Sequence, residues 1–291
     1  MAEKSTFRFK GHETFFLREG WLNKGLFAVK ADARVFTDNY GADALGVGPN
    51  MAKSIRYWMR CAAIIDDTSR NGVWLTELGT LIYENDPYIE DWFTLWLVHC
   101  QIAQRKELAT AWYLFFNRFS YEEFDKDQLF QEMKRLAREL PQGEQALDTS
   151  IAADCDLILR MYASVENRNH NPEEKNVSPF GKLGLLKVSG TLYERKQPDL
   201  NHLPVEMVEY LLMELLETRD SIYLEDLLTI PQGPGRLLGL KRTALMEYLE
   251  KLEEREIITV NRTAGLDMVY RKNKETSVDV IKKYYENRKK E

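Results

Sequence analysis

Between residues 49 and 62 apolar side chains recur at helical spacing. Met51, Ile55, Trp58, Met59 and Ala62 fall on one face at i, i+4, i+7, i+8 and i+11. Lys53, Arg56, Tyr57 and Arg60 fall on the opposite face. The pattern predicts an amphipathic helix with Asn50 as its N-cap, the side-chain oxygen accepting from a first-turn N–H. Two short apolar runs follow, Ala63–Ile65 and Val73–Leu75, separated by a polar stretch ending in Asn71-Gly72, a tight-turn pair. Thr76 to Gly79 opens a further helix. Helix, strand, turn, strand is the layout of a winged helix, expected over residues 1–86. In such modules the helix before the hairpin enters the major groove. A phosphate-cradling loop is excluded by register: counting back from Lys53, the required glycines fall on Ala52 and Val47.

From Pro87 to about residue 165 the pattern is helical throughout. Trp92, Leu95, Trp96 and His99 share a face, AWYLFFNRF (111–119) is strongly apolar, and periodic segments run to Pro141 and from Ile151 to Tyr162. The rings sit on apolar helix faces, which predicts core packing rather than a base-stacking platform, with His99 buried and satisfied. A polar connecting segment is expected over residues 166–189. Residues 190–291 repeat the first layout: a helix from Pro204, a strand at Ser221–Leu224, a helix over Lys241–Arg255, and IITV and MVYR flanking a second wing. Its outer stripe, Thr243, Glu247, Glu250 and Glu254, repels phosphate. The predicted fold class is therefore mainly α with small β-hairpins: an N-terminal winged helix, a helical middle region and a C-terminal winged-helix-like domain.

Composition changes this picture in one respect. Net charge is −6 over 291 residues, which argues against a nucleic-acid partner until its distribution is read. Residues 1–84 balance at +1, residues 85–170 at −6 and residues 171–291 at −1. The acid is concentrated in the middle, so the basic stripe at Lys53, Arg56 and Arg60 stays available to DNA. Three widely spaced cysteines predict neither a disulfide framework nor a zinc site. No apolar run is long enough for a membrane helix, and the N-terminus lacks a signal-peptide core. A cytoplasmic location without membrane partners is expected.

The phrases FKGHETFFLREGWLNKG (9–25), GVGPNMAKSIRYW (46–58), LTELGTLIYENDPYIED (75–91) and TLWLVHCQIA (94–103) resemble a bacterial family known as a domain of unknown function. Its members occur in DNA phosphorothioation gene clusters, as SspB, the DNA-nicking component of single-strand phosphorothioation. The resemblance implies a defence-related DNA modification partner of a cysteine desulfurase, an ATP-using sulfur transferase and an ATPase; carboxylate-held Mg²⁺ or Mn²⁺, the usual means of phosphodiester cleavage, is the expected cofactor. No ATP or other nucleotide cofactor is expected for this chain, and a homodimer is an open arrangement.

The residues give less to the nickase chemistry than to binding. Phosphodiester cleavage needs proton transfer and charge stabilisation. The best constellation is GHETFFLREG, with His12 as general acid or base, Glu13 as a metal ligand, and Arg18 and Lys24 as phosphate clamps. The residues favour the alternative, in which His12 and Glu13 brace the N-terminal segment against the winged helix. Asp154 and Asp156 point to different sides of a helix and are poor joint ligands. Asn50, Lys53, Arg56 and Arg60 with Tyr57 are the expected DNA contacts on this helix. An endonuclease, a non-enzymatic DNA-binding subunit and a winged-helix transcriptional regulator all remain compatible with the residues.

Overall fold

Local capping explains where many helices of the computed structural model begin. The structure describes residues 7–68, 71–141, 146–164, 177–263 and 266–290. It divides into two compact units, residues 1–196 and 197–291. The expected segments 1–86, 87–165 and 166–189 thus share one unit. Residues 166–176 of the expected connecting segment lie outside the described residues, as do 264–265 of the second expected wing.

In the first unit α1 (Trp21–Ala31), α2 (Ala42–Leu45) and α3 (Pro49–Cys61) precede an antiparallel hairpin of β1 (Ile65–Asp66) and β2 (Trp74–Leu75). Gly72 carries a φ of 149° and approaches the Ala33 carbonyl, a site open to glycine because no Cβ intrudes. Thr76 then caps α4 (Glu77–Asn85), its hydroxyl oxygen accepting from Gly79 N at 2.9 Å.

Pro87 does not begin the next helix, contrary to the sequence expectation. Asp86 accepts from Glu90 N and Asp91 N, and the Asp91 carboxylate accepts from Phe93 N and Thr94 N. The cap at Asp91 sets the start of α5 (Trp92–Gln104). After it come α6 (Thr110–Asn117), β3 (Glu123–Phe124), α7 (Lys126–Arg138) with an Asp125–Gln128 capping box, and α8 (Asp148–Tyr162). The middle region is not purely helical. β3 pairs antiparallel with β6 (Leu192–Arg195), β6 with β5 (Leu186–Ser189), and β5 parallel with β4 (Ala163–Ser164). Strands of two residues carry too little alternation to show in the sequence.

Trp96, Trp112, Phe115, Phe116, Tyr162 and Phe180 are among the largest fully buried side chains. Each such ring contributes roughly 1.5–3 kcal/mol by leaving water. His99 lies among them, its Nδ1 2.9 Å from the Tyr162 hydroxyl. The buried, satisfied histidine read from the apolar stripe is what the structure contains.

The second unit runs α9 (Val205–Leu216), β7 (Ser221–Tyr223), α10 (Leu224–Thr229), α11 (Pro234–Leu237), α12 (Arg242–Glu254), β8 (Ile258–Thr263), β9 (Leu266–Arg271) and α13 (Ser277–Arg288). Its strands order β7-β9-β8, all antiparallel. Leu245, Leu249 and Leu252 of α12 are buried, while Thr243, Glu247, Glu250 and Glu254 are exposed.

Candidate nucleic-acid interface

Asn50 lies inside α3 rather than at its cap. Gly48 occupies the N-cap and Pro49 the first helical position, where the missing proline N–H costs nothing. Asn50 instead accepts from Lys53 Nζ at 3.5 Å. The apolar stripe faces inward as its spacing requires, with Ile55, Trp58, Met59 and Ala62 fully buried.

Tyr57 departs from the expected outer stripe. It is 5% exposed and its hydroxyl donates to Leu108 O at 2.9 Å. Burial raises its phenol well above the usual range. A Cβ on Gly11 would stand 2.3 Å from the Tyr57 ring, so the N-terminal segment lies directly on it. The helical wheel could not reveal this, because the covering Gly11 is 46 positions away in the chain. Burial likewise pushes the neighbouring Cys61 thiol up to about 12.

The remaining basic stripe is partly neutralised from outside the helix. Asp67, just past β1, accepts from Arg56 Nε at 3.0 Å and Nη2 at 2.9 Å, and from Arg60 Nε at 3.0 Å. Two guanidiniums thus share one carboxylate. Lys53 sits 4.2 Å from the centre of the Tyr40 ring and Arg56 5.5 Å from that of Phe36, cation–π contacts that fix the side chains while leaving charge on the surface. All three cations are partly exposed. Arg34, Arg56, Asn71 and Gly72 line a hollow of about 320 Å³ between the segment after α1, α3 and the hairpin loop.

His12 and Glu13 are not brought together. Glu13 is exposed with a φ of 48°. His12 is 0% exposed, its Nε2 2.6 Å from Asp154 Oδ1. Its Nδ1 accepts from Thr14 N at 3.2 Å, so the proton of the neutral ring resides on Nε2 and donates to Asp154. The imidazole is stacked on Trp58 and edge-on to Tyr57 and Trp112. It therefore packs against the middle of α3, not its start, and has no face open to a phosphate. Burial raises the Asp154 carboxyl, opposed by its bonds to His12 and the Lys10 N–H. Asp156, by contrast, is exposed and ion-paired with Lys126 at 2.7 Å.

Arg18 is wedged among Phe15, Phe16 and Trp21. Burial and the charge of Arg160 lower its pKa. Lys24 is exposed and donates from Nζ to Leu45 O at 3.2 Å. Among the described residues no group of three or more His, Cys, Asp or Glu is placed to hold a metal ion. The residues that sequence reasoning left out are Asp67, which masks the basic stripe, and Asp154 as the partner of His12. Neither has a local signal: their partners stand 11 and 142 positions away.

No curated protein matches the chain. Two solved structures do, one described as an SspB crystal structure and one as a magnesium ion-bound SspB crystal structure. Each is 27% identical, covers 96% of this chain and 88% of the other, and superposes with a TM-score of 0.81. The family model described as "Protein of unknown function (DUF4007)" matches residues 9–285, and over nearly its whole length the chain belongs to that family.

Proposed function

We propose that this protein is a DNA-binding component of a bacterial DNA phosphorothioate modification system that nicks one strand to allow sulfur incorporation. The observation that carries the reading is the likeness to SspB, which extends over 96% of the chain rather than over one module. The α1–α2–α3–hairpin order supports a winged helix in which α3 enters the major groove and the hairpin follows the backbone. Lys53, Arg56 and Arg60 would meet phosphates, with Lys24 and Arg18 as further cations of the same unit. The second unit's element order supports a second winged helix, whose acidic outer stripe suits protein docking better than DNA. Its partners would be the desulfurase, sulfur transferase and ATPase of the pathway.

Magnesium in the related SspB structure and the family resemblance support metal-dependent cleavage. The described side chains do not assemble into a cluster fitted to an ion, so no step is assigned to one. The burial of His12 supports a bracing role for it and leaves the acid–base groups of cleavage unassigned. The same burial favours a second reading, a DNA-binding subunit that is not itself a nuclease.

The test is relaxation of supercoiled plasmid by the purified chain with Mg²⁺ or Mn²⁺, with and without chelator, beside DNA affinity measured over a salt series. Chelator-sensitive nicking supports the first reading. Salt-dependent binding without nicking supports the second. A single high-affinity operator would favour a transcriptional regulator. Arg56→Ala with Arg60→Ala should weaken binding and flatten the salt dependence by up to roughly two logarithmic units per decade. Glu247→Ala with Glu250→Ala should leave binding intact.

A further inference from the structure

A second concentration of positive charge lies away from α3, around Phe16. The Arg160 guanidinium is 4.8 Å and the Arg18 guanidinium 5.7 Å from the centre of that one ring. Two like charges so placed repel each other. Several other arginines are paired with acids, Arg118 and Arg135 with Glu139 and Arg255 with Glu206. Among the described residues neither Arg18 nor Arg160 has a carboxylate partner, and Arg18 Nε is buried with no hydrogen-bond acceptor. A buried donor left without an acceptor carries a desolvation cost.

Arg160 stands in the last turn of α8 and opens onto a cavity of about 440 Å³, lined also by Phe16, Lys126, Asp156, Ser178 and Tyr193. Lys126 is held there by Asp156. Ser178 is buried, and its Oγ accepts from Phe180 N at 3.3 Å, which leaves its O–H to donate into the cavity. Arg18 lines a separate hollow, where Glu19 is taken up by Lys182 at 2.7 Å. Two guanidiniums therefore flank Phe16, and Lys126, paired with Asp156, lines the same cavity as Arg160.

We propose that this cavity is a phosphate-binding site, in which Arg160, Lys126 and the Ser178 hydroxyl donate to the phosphate oxygens while Arg18 supplies a second guanidinium charge beside Phe16. Guanidinium and ammonium groups flanking an aromatic wall are suited to a tetrahedral, multiply charged oxyanion. The cavity exceeds the size of one phosphate and leaves room for an attached sugar. The phosphate is either free or part of a nucleotide chain, and the shared chemistry is the same.

The experiment is thermal unfolding of the full chain in millimolar sodium phosphate against chloride at matched ionic strength, and separately with a short single-stranded oligonucleotide. A ligand bound only by the folded state raises Tm saturably. We expect a rise of a few degrees in the wild type, cut by more than half in Arg160→Gln and in Arg18→Gln and largely kept in Arg160→Lys. Unliganded Arg160→Gln should melt no lower than wild type, since it removes a repulsion. A response to phosphate alone identifies free phosphate as sufficient, whereas a response only to the oligonucleotide identifies the nucleic-acid backbone. A chain carrying Lys53→Ala, Arg56→Ala and Arg60→Ala should keep the response, so this site and the α3 face fail or stand separately. No rise with either ligand would overturn the proposal. So would a rise that survives undiminished in both glutamine variants, or variants that merely melt lower with the increment intact.

Discussion

If α3 meets DNA, Asp67 limits the encounter, and Asp67→Asn should strengthen it. The carboxylate holds Arg56 through two nitrogens and Arg60 through one, all within 3.0 Å. It is 9% exposed against 36% and 32% for its partners, so it sits beneath the guanidiniums rather than beside them. A phosphate docked on the arginines would lie roughly 8 Å from Asp67. At that distance the repulsion is about 0.5 kcal/mol in water-like surroundings and about 2 kcal/mol at an effective dielectric of about 20. Removing it should tighten DNA binding by roughly 2- to 30-fold at low salt. The log–log salt slope should steepen by about 0.9 for each arginine released to a phosphate. Stability should change little, because partly exposed pairs contribute only about 0.2–1 kcal/mol. Fluorescence anisotropy with a labelled duplex, from about 50 to about 200 mM salt, reads both quantities. Unchanged affinity and slope in Asp67→Asn would refute the idea that this carboxylate masks phosphate-facing cations. Weaker binding would show instead that it orients them.

His12→Ala should cost about 3–5 kcal/mol in denaturant unfolding, the typical range for truncating a large buried ring with loss of its hydrogen bond to Asp154, whereas Asp154→Asn, which keeps an acceptor for Nε2–H, should cost less. Burial, with Glu206 and Glu275 nearby, raises the Glu209 carboxyl from 4.5 to about 7. The native state thus binds more protons than the unfolded chain between these values, and stability should fall as pH rises from about 4.5 to about 7. The full linkage is about 3 kcal/mol, reduced to about 1–2 kcal/mol by solvent access; unfolding across this range should be flatter for Glu209→Gln, and an identical pH profile would count against it.

What the sequence revealed was local and periodic. α3 and α12 were legible because their apolar residues repeat at the helical period and most of them face the core, as Ile55, Trp58 and Met59 and Leu245, Leu249 and Leu252 do. The hairpin after α3 was legible from Asn71-Gly72 between two apolar runs. The start of α5 was misread because Pro87 outshone the Asp86–Asp91 turn, where Asp86 accepts from N–H groups four and five residues on and Asp91 caps the helix. The sheet β3-β6-β5-β4 was invisible, since its strands come from segments far apart in the chain and its outer members are two residues long. The candidate site was half legible. Lys53, Arg56 and Arg60 share a surface as their spacing requires, but burial of Tyr57 and the intervention of Asp67 are long-range facts that no helical wheel contains.

The same long-range contacts explain why a buried histidine would matter to the proposed DNA-binding face. Residues 8–15 lie along the inner side of α3 and fasten it at several points. Arg8 N donates to Thr110 Oγ1, Lys10 N to Asp154, and both Ser54 Oγ and Trp58 Nε1 donate to Phe15 O. His12 closes this strap by joining α8 through Asp154 and stacking on Trp58. With Tyr57 pinned to Leu108, α3 cannot rotate without breaking polar bonds on its buried side. Its outward cations are therefore carried on a rigid support, which lowers the ordering cost of meeting a rigid polyanion. A His12 variant that binds DNA poorly is thus no evidence of catalysis by His12. The two roles separate in His12→Gln: assayed well below its melting temperature, loss of support lowers affinity and nicking together. Loss of a proton-transfer group would lower nicking while affinity holds, and that pattern would overturn the bracing role assigned here.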